Sequence, residues 1–339
     1  MVRVVVVGGG AAGFFAAITF KENYPDSEVV ILEKTKQPLA KVRISGGGRC
    51  NVTHSCFDPK TLVKNYPRGF LELLGPFHKF QPQDTIRWFE TRGVKLKVES
   101  DGRMFPITDS SESIIQCFMK EVKKHNIDLR LETAVEKIEK GFLVHLKDGS
   151  VLEADKVILA TGSNPLGHEL ARSFGHTIVK PVPSLFSFNC PSSPLLDISG
   201  ISLPKVRVKL ENTSFETEGP ILLTHWGFSG PAILRLSAFA ARHLHENNYQ
   251  ANVIIDWQPD EEIPIPKNLL KKLLPEEIHR SSYKIEGKTT YKMEFVTAGG
   301  VELKEIHFKN MESKIVPNLH FTGEVLNIDG VTGGFNFQN

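Results

Sequence analysis

A run of three glycines lies among charged and reactive side chains in the segment KVRISGGGRCNVTH, residues 41–54. Arginines flank the glycines at positions 43 and 49, and a cysteine and an asparagine follow at once. Glycine contributes no side-chain packing and costs backbone entropy, but it allows the main chain to come very close to another group. We therefore expect this segment to hold a ligand through its backbone.

A second glycine motif, G-x-G-x-x-G at Gly8, Gly10 and Gly13, lies between a run of valines and an apolar stretch. In the dinucleotide fingerprint the first glycine allows a tight turn, the second lets backbone N–H groups reach a pyrophosphate, and the third lets the helix pack on the sheet. Glu33, twenty residues beyond Gly13, can accept hydrogen bonds from a ribose. The spacing therefore predicts a dinucleotide site on a βαβ unit.

The elements that position these motifs are predicted to form a Rossmann-type α/β domain. The β-branched run Arg3–Val7 and the segment EVVILEK predict two strands, and the intervening AAGFFAAITFKENY has the spacing of a buried helix. From Lys36 to about Phe105 the chain makes a long excursion, which carries the segment 41–54, the helix-like QDTIRWFETRG and an alternating pair around Asp101-Gly102. A nicotinamide-binding domain would continue sooner to its third strand.

The chain returns from this excursion through several more predicted elements. SSESIIQCFMKEVKKHN predicts a helix with serines near its start, and IDLRLETAVEKIEK predicts a strand. Two alternating strands joined at Asp148-Gly149 lead to a buried strand that ends in Ala160-Thr161-Gly162. A return to the nucleotide sheet through such a meander suits an FAD domain better than an NAD domain.

The composition changes from Pro181 to about Pro317, where prolines recur among short β-like runs such as KVRVKLE, ANVIIDW and TYKMEFVTAGGVEL. A helical patch, PKNLLKKLLPEEIHR, interrupts these runs, and the closing LHFTGE predicts a strand that returns to the first domain. We therefore assign residues 1–183 and 318–339 to the FAD-binding domain and 184–260 and 283–317 to an inserted β-rich domain. Residues 261–282 form a short helical segment.

Length and charge narrow the class of protein. A chain of 339 residues is expected to form two domains, since single cores stop growing at roughly 250–300 residues. Lysines and arginines number 41 and acidic residues 39, so we expect neither a nucleic-acid nor a membrane partner. No apolar run is long enough to cross a bilayer and the four cysteines do not suggest a disulfide framework, so we expect a cytoplasmic protein. The oligomeric state stays open.

Several long motifs in one order resemble the BaiN-type flavoproteins, the NAD(P)/FAD-dependent oxidoreductases that include aminoacetone oxidase. The motifs are VVVVGGGAAG, KVRISGGGRCNVTH, LATGS, LLTHWGFSGPAIL, EFVTAGGV and FTGEVLNIDGVTGGFNFQ. The resemblance implies a glutathione-reductase-like FAD domain, an inserted β-barrel domain and a small helical domain. FAD would be the cofactor, with NAD(P)H as a possible second one. The chain departs from the family in its short helical patch between Ile263 and Ser282, and in stopping at Asn339, where the family continues into a final helix.

The resemblance also implies a set of cofactor-binding residues in this chain. The pyrophosphate would lie on Gly8, Gly10, Ala11, Ala12 and Gly13, the ribose on Glu33 and Lys34, and the adenine on the backbone of Val135. The ribityl chain and flavin ring would lie among Lys41, Arg43, Ser45, Gly46, Gly47, Arg49, Cys50 and Asn51, next to Ala160, Thr161 and Gly162. Gly323 and Glu324 would face the ribityl or phosphate end, and Gly333 and Gly334 the pyrimidine edge. Arg43 or Arg49 would favour the reduced, anionic flavin.

Other motifs suggest rival chemistry. Cys50 and Cys56 could form a redox pair, but five residues separate them where flavin disulfide reductases have four, so we interpret Cys50 as a ring-lining residue. Ser229 in GFSGP resembles a nucleophile with His225 and Asp256 as partners, but Pro231 stands where the second glycine of the elbow should be. His225 either contacts substrate or caps a turn. The scattered histidines give no metal-like spacing, so no metal site is expected.

The sequence thus predicts an FAD-dependent oxidoreductase that moves hydride or electrons between a small organic substrate and NAD(P)H or oxygen. The catalytic candidates are Arg49, Cys50 and His225. Two alternatives stay open: a flavin-dependent oxidase of an amine such as aminoacetone, and a flavin-binding sensor without turnover of its own.

Overall fold

The computed structural model describes residues 1–289 and 296–339, which divide into two compact units. Unit 1 comprises Met1–Pro181 and Gly299–Asn339, and unit 2 comprises Val182–Ala298. Both glycine motifs and all the residues assigned above to the cofactor lie in unit 1. None of the helices in the described ranges is long and apolar enough to cross a membrane.

A seven-stranded sheet forms the centre of unit 1. Its strands, in spatial order, are Ile306–His307, Glu312–Ser313, Leu319–Phe321, Lys156–Leu159, Arg3–Val7, Glu28–Leu32 and Asp128–Arg130. The last five are parallel to one another, and the first two add an antiparallel edge. The strand Arg3–Val7 lies between two parallel neighbours and is buried after Arg3, which is why its other four residues are all valines and do not alternate with polar residues.

Helices and two small sheets surround this central sheet. The longer helices of unit 1 are Ala11–Asn23, Phe70–Phe77, Pro82–Glu90, Glu112–Lys124 and Pro165–Ser173. Phe14, Trp88, Phe89 and Phe118 pack three of these helices together through ring contacts. One small sheet pairs Thr53–His54, Arg103–Pro106 and Leu96–Val98, and the other pairs Val135–Glu139, Leu143–Leu146 and Val151–Glu153. The excursion therefore adds to unit 1 and forms no separate unit.

Unit 2 is built on a seven-stranded antiparallel sheet. Its strands, in spatial order, are Ser281–Glu286, Gln250–Asp256, Ser202–Leu210, Glu216–Thr224, Gly227–Ser229, Ser187–Asn189 and Lys288–Thr289. The Asn189 N–H donates to the Gly287 carbonyl at 3.0 Å, so strands near the two ends of this order approach each other. Phe228, Trp257 and Tyr283 form ring contacts in the core, and the helices Pro231–Phe239 and Ala241–Glu246 belong to the same unit.

The structure differs from the sequence-based assignment in three places. Residues 299–317 belong to unit 1 and not to the inserted domain, because Ile306–His307 and Glu312–Ser313 extend the central sheet. The single strand expected over residues 127–140 is two strands in different sheets, since the chain turns at Glu132, whose φ is +52°. The helical patch is reduced to Lys267–Leu270, which Pro266 precedes, and a 3-10 turn at Pro275–Glu277, which begins with a proline.

The strand expected over TYKMEFVTAGGVEL is observed as Val296–Val301. It pairs with Ile178–Ser184 in a two-stranded sheet, and these two strands contain both boundaries between the units. Residues 290–295 of the expected strand, which include the start of the EFVTAGGV motif, lie outside the described residues.

Candidate cofactor site

The turn after the first strand explains why each fingerprint glycine is needed. A Cβ at Gly8, whose φ is +115°, would lie 2.4 Å from the Ala160 carbonyl oxygen. A Cβ at Gly13 would lie 2.0 Å from the Gly8 carbonyl oxygen, so a side chain there would separate helix from strand. Gly10 has no atom within 4 Å of its Cβ position and faces open space. The first and third glycines thus serve packing, and the second leaves room for a ligand.

The first helix presents its N-terminus to that space. Gly10 is its N-cap in an extended conformation, and Ala11 and Ala12 open the 13-residue helix. No side chain caps this end and no acidic residue occupies its first turn. The amide groups of the first turn and the positive end of the helix dipole therefore fit an anion, and a pyrophosphate matches both the charge and the open side of Gly10.

Glu33 is fixed beside the glycine turn by backbone donors. Its Oε2 accepts the Gly9 N–H at 2.9 Å, and its Oε1 accepts the Thr35 N–H at 2.9 Å and the Thr35 hydroxyl at 2.8 Å. A carboxylate has lone pairs for further donors, so ribose hydroxyls can still bind there. Lys34 is exposed and Val135 is buried at the start of its strand. Thr35 was not among the expected site residues, although a hydroxyl residue two positions after an acid is common in local side-chain-to-backbone turns.

Three distant segments meet near the start of the first helix. The Lys41 ammonium bonds Glu324 Oε2 at 2.6 Å and the Ser163 hydroxyl at 3.3 Å. The Cβ position of Gly162 lies 3.7 Å from the same Glu324 oxygen, and that of Gly323 lies 2.8 Å from the Cβ of Ala12. The structure therefore brings the Gly8–Gly13 turn, the end of the strand Lys156–Leu159 and the Gly323 turn together. No pattern in the sequence indicated that Ser163 would contact Lys41.

Thr161 carries a buried polar atom whose hydrogen-bonding capacity is unused. Its hydroxyl is buried and has no hydrogen-bond partner within the described ranges. The side chain packs against Gly167, where a Cβ would lie 1.7 Å from the hydroxyl oxygen. An unsatisfied buried hydroxyl costs about 1–3 kcal/mol, so its presence at the end of this strand fits a site that a polar ligand completes.

The glycine run ends a short helix in a left-handed turn. The helix that begins at Ala40 loses helical geometry at Ser45, and Gly46, Gly47 and Gly48 then have φ of +58°, +69° and +84°. The Cys50 N–H donates to the Ser45 carbonyl at 2.9 Å and closes the turn. A Cβ at Gly46 would lie 3.0 Å from the Phe105 ring, whereas Gly47 has no atom within 4 Å. Gly46 therefore packs on protein and Gly47 leaves its side open.

Cys50 is sealed inside unit 1. It has no exposed surface, and burial raises the pKa of its thiol to about 12 despite a hydrogen bond with Ser45. Burial also raises the pKa of the Cys56 thiol, and both cysteines are free. The thiolate is the reactive form, and a raised pKa keeps both thiols protonated at neutral pH. The two cysteines are therefore poor candidates for a redox pair or a nucleophile.

The charges of Arg43 and Arg49 are balanced by carboxylates. Arg49 Nη1 lies 2.6 Å from Glu99 and 3.5 Å from Asp109, and its guanidinium lies 4.0 Å from the centre of the Phe105 ring. Arg43 Nη1 lies 2.6 Å from Glu112. The sequence suggested either arginine as a cation for a reduced flavin, but these pairings reduce the positive field that each can supply.

The carboxy-terminal loop, residues 326–335, docks on the residues that follow the glycine run. Asn51 accepts the Gly334 N–H at 2.9 Å and donates to the Thr53 carbonyl at 3.0 Å. A Cβ at Gly334, whose φ is +93°, would lie 2.5 Å from that carbonyl oxygen. Gly333 also has a positive φ, of +123°. Close approach of the two segments therefore depends on these glycines.

The residues of the possible hydrolase triad have other partners. Ser229 Oγ lies 2.7 Å from Ser187 Oγ, and Asp256 lies 3.0 Å from His279. His225 is an exposed residue of unit 2, at the turn before Gly227–Ser229, with its ring 4.4 Å from that of Trp226. These contacts support the interpretation that GFSGP is not a nucleophile elbow.

One cluster in unit 1 has ligand types that metals bind. Atoms of Glu22, Glu121 and His125 lie within 4.8 Å of one another. However, Arg92 lies 2.5 Å from Glu22 and 3.4 Å from Glu121, and Lys124 lies 3.1 Å from Glu121. Two cations already neutralise the carboxylates, so the cluster acts as an ion-pair network between helices.

Comparison with known proteins identifies the family. A family profile described as "HI0933-like protein Rossmann domain" matches residues 2–339. The chain belongs to this family. It is 27% identical to the 3-dehydro-bile acid delta(4,6)-reductase of Clostridium scindens, over 100% of this chain and 96% of that protein. It is also 27% identical to the ribosomal RNA dihydrouridine synthase of Escherichia coli, over 98% of this chain and 94% of that protein.

Solved structures share the fold. The 3-ketosteroid-delta4-(5alpha)-dehydrogenase of Rhodococcus jostii RHA1 matches with a TM-score of 0.57 and 14% identity, over 99% of this chain and 95% of that one. Escherichia coli quinol fumarate reductase matches with a TM-score of 0.51 and 14% identity, over 100% of this chain and 68% of that one. At this identity the likeness shows the fold alone.

These findings confirm the expected fold and resemblance, with FAD as the cofactor and oxidoreductase as the class of enzyme. The expected absence of a nucleic-acid partner is not confirmed, because similar proteins are named for ribosomal RNA. The alignment with the bile acid reductase spans 398 positions against the 339 residues of this chain, so that relative has internal segments that this chain lacks.

Proposed function

We propose that the chain is an FAD-dependent reductase that saturates a carbon–carbon double bond conjugated to a carbonyl, with NAD(P)H as the electron donor. The observation that carries this proposal is that the names of two relatives describe the same type of reaction. Dihydrouridine differs from uridine by two hydrogens across a double bond conjugated to a carbonyl, and a bile acid delta(4,6)-reductase saturates ring double bonds. The two substrates differ greatly in size, but the reacting group is alike.

The described site supports transfer without a protein thiol. When bound, FAD supplies a carrier that can accept hydride from one molecule and give it to another. A disulfide reductase would need a reactive cysteine, and Cys50 holds its proton because burial raises its pKa to about 12. This favours direct reduction of an organic substrate over a thiol relay.

The chain's own residues bind and orient the cofactor in this proposal. The amides that follow Gly10 would hold the pyrophosphate, and Glu33, fixed by Gly9 and Thr35, would hold the adenosine ribose. Lys41 joins the segments of Ser163 and Glu324, which would bound the ribityl end. Gly47 would admit the ring, because nothing else occupies the space at its Cβ position.

The experiment follows reduction and reoxidation of the flavin separately, and oxygen is excluded except where air is the acceptor. The holoprotein is first mixed with NADPH or NADH, and then with a 3-keto-4-ene steroid, a uridine-containing ribosomal RNA fragment, or air. We expect reduction by a nicotinamide and reoxidation by one of the first two acceptors faster than by air.

The alternatives give different results in the same experiment. Reduction by aminoacetone together with fast reoxidation by air would replace the proposal with an amine oxidase. A flavin that neither nicotinamides nor amines reduce would indicate a sensor. Reoxidation by the steroid would indicate a free small molecule as the substrate, and reoxidation by the RNA fragment would indicate a base in RNA.

A further inference from the structure

A short segment of the excursion, residues 65–69, holds the carboxy-terminal loop by polar contacts. We call residues 65–69 the clasp. The Asn65 carbonyl accepts the Val331 N–H at 2.9 Å, and the Tyr66 hydroxyl donates to the Phe335 carbonyl at 2.7 Å. Two guanidinium nitrogens of Arg68 donate to the two carboxylate oxygens of Asp329.

The clasp also packs tightly against the loop. A Cβ at Gly69, whose φ is +84°, would lie 2.7 Å from the Ile328 side chain. Tyr66 is 1% exposed, and the side chains of Arg68 and Asp329 are 12% and 0% exposed. A buried ion pair stabilises only when its geometry is good, because both charges lose their hydration. Because the Arg68 guanidinium contacts both carboxylate oxygens, the pair fixes the direction as well as the distance of the loop.

The loop carries this position to Gly333 and Gly334, which pack against the residues that follow the glycine run. Asp329 is four residues before Gly333, and the Asn336 side chain bonds both the N–H and the carbonyl of Gly330 at 2.8 Å, which closes the loop on itself. On its other side, Gly334 donates to Asn51, the third residue after the left-handed glycine run. The loop is thus held between the clasp and the residues that follow the glycine run.

We propose that Arg68 is a positioning residue for the flavin: through Asp329 it sets the position of the loop that carries Gly333, which would bound the ring in the proposed site, and so the relative affinity of the site for reduced and oxidised FAD. Reduction places negative charge on the ring, and nearby backbone N–H dipoles stabilise that charge according to their distance and direction. The inference rests on FAD binding in unit 1, as in the proposed function, but not on any particular substrate.

The test compares variants of the holoprotein by the ratio of their affinities for reduced and oxidised FAD. Dye equilibration with dithionite as reductant gives this ratio without NAD(P)H or substrate. Arg68→Ala should keep its affinity for oxidised FAD within about tenfold, because the Gly8–Gly13 turn is untouched. The ratio should change by about tenfold, which is ~30 mV for a two-electron couple. Arg68→Lys should restore part of it, since it keeps the charge but not the two-point contact.

Arg92→Ala is the matched control. Arg92 also pairs with a buried carboxylate in unit 1, that of Glu121, and its side chain is 14% exposed against 12% for Arg68. It contacts the far end of the first helix through the exposed Glu22. The Arg92→Ala variant should lower the melting temperature as much as Arg68→Ala does, and it should leave the ratio of affinities for reduced and oxidised FAD unchanged. Hydrogen exchange without cofactor should show faster exchange at residues 328–335 in Arg68→Ala alone.

An affinity ratio in Arg68→Ala equal to that in Arg92→Ala would overturn the proposal and leave Arg68 a purely structural residue. If Arg68→Ala does not fold, Tyr66→Phe decides, since it removes one hydrogen bond to Phe335 and little volume. A changed ratio in that variant supports the clasp, and an unchanged ratio rejects it. A wild-type flavin that no conjugated substrate reoxidises would reject the proposed function only, because the ratio is measured without substrate.

Discussion

At the scale of single residues, Glu33 is the side chain whose role the structure defines most closely. Three protein donors hold its carboxylate beside the glycine turn. Glu33→Ala should weaken FAD binding by about 1–3 kcal/mol, because a ribose hydroxyl loses a charged acceptor and the Gly9 N–H loses its partner. Calorimetric titration of the apoprotein with FAD measures this. Lys36→Ala, at an exposed position outside the expected cofactor-binding set, is the control and should bind as wild type does. Equal affinity in both variants would show that Glu33 does not hold the ribose.

Cys50 gives a prediction in the alkaline range. Its pKa is raised to about 12 in the folded protein, whereas an unfolded cysteine ionises near ~8.5. Below the unfolded pKa both states keep the proton and the stabilisation is complete. Above it only the unfolded state loses the proton, so the free energy of unfolding falls by up to ~1.4 kcal/mol per pH unit until the folded pKa is reached. Urea unfolding at pH 8, 9 and 10 should show a shallower fall in Cys50→Ala than in wild type. Parallel falls would mean that the thiol is open to solvent.

At the scale of elements, a substitution in the glycine run can distinguish a turn that contacts a ligand from a turn that is only flexible. Gly47→Val should abolish FAD binding, because a branched side chain would fill the open space beside the ring. Valine also strains a left-handed backbone by roughly 1–2 kcal/mol. Gly93→Val is the control for that strain, since Gly93 has φ of +85° and likewise no atom within 4 Å. FAD titration and thermal unfolding of both variants separate the effects. If the two variants lose equal stability and both keep FAD, Gly47 serves only the turn.

The elements show which parts of the fold local patterns can predict. The βαβ unit follows from glycine spacing and a valine run, and the hairpin around Asp101-Gly102 follows from alternation; Leu96–Val98 and Arg103–Pro106 pair as expected. The placement of residues 299–317 depends on pairing with the strand Leu319–Phe321. The composition of that segment carries no information about which strand it pairs with. The carboxylate partners of Arg43 and Arg49 and the clasp on the carboxy-terminal loop are also long-range contacts. Residue types could suggest these arginines as functional residues, but they could not predict which carboxylates pair with them.

At the scale of the whole molecule, the site residues come from segments that are far apart in the sequence and lie in one unit. The residues at 8–13, 33, 41–51, 160–162 and 323–334 all belong to unit 1, whose second part follows the 117 residues of unit 2. Binding of the whole cofactor therefore requires both parts of unit 1 in their folded arrangement. FAD then acts as a ligand that selects the folded state of this unit.

This arrangement predicts where FAD stabilises the protein. At a free FAD concentration of 100 times its dissociation constant, the free energy of unfolding of unit 1 should rise by ~2.7 kcal/mol. Hydrogen exchange with and without FAD should show added protection at the Gly8–Gly13 turn, the glycine run and the carboxy-terminal loop, while the core strands of unit 2 around Trp257 change little. AMP is the control, because it occupies only the adenosine end and should protect the region of Glu33 and not the glycine run. Protection confined to unit 2, or identical for AMP and FAD, would show that the flavin ring does not lie at residues 46–48.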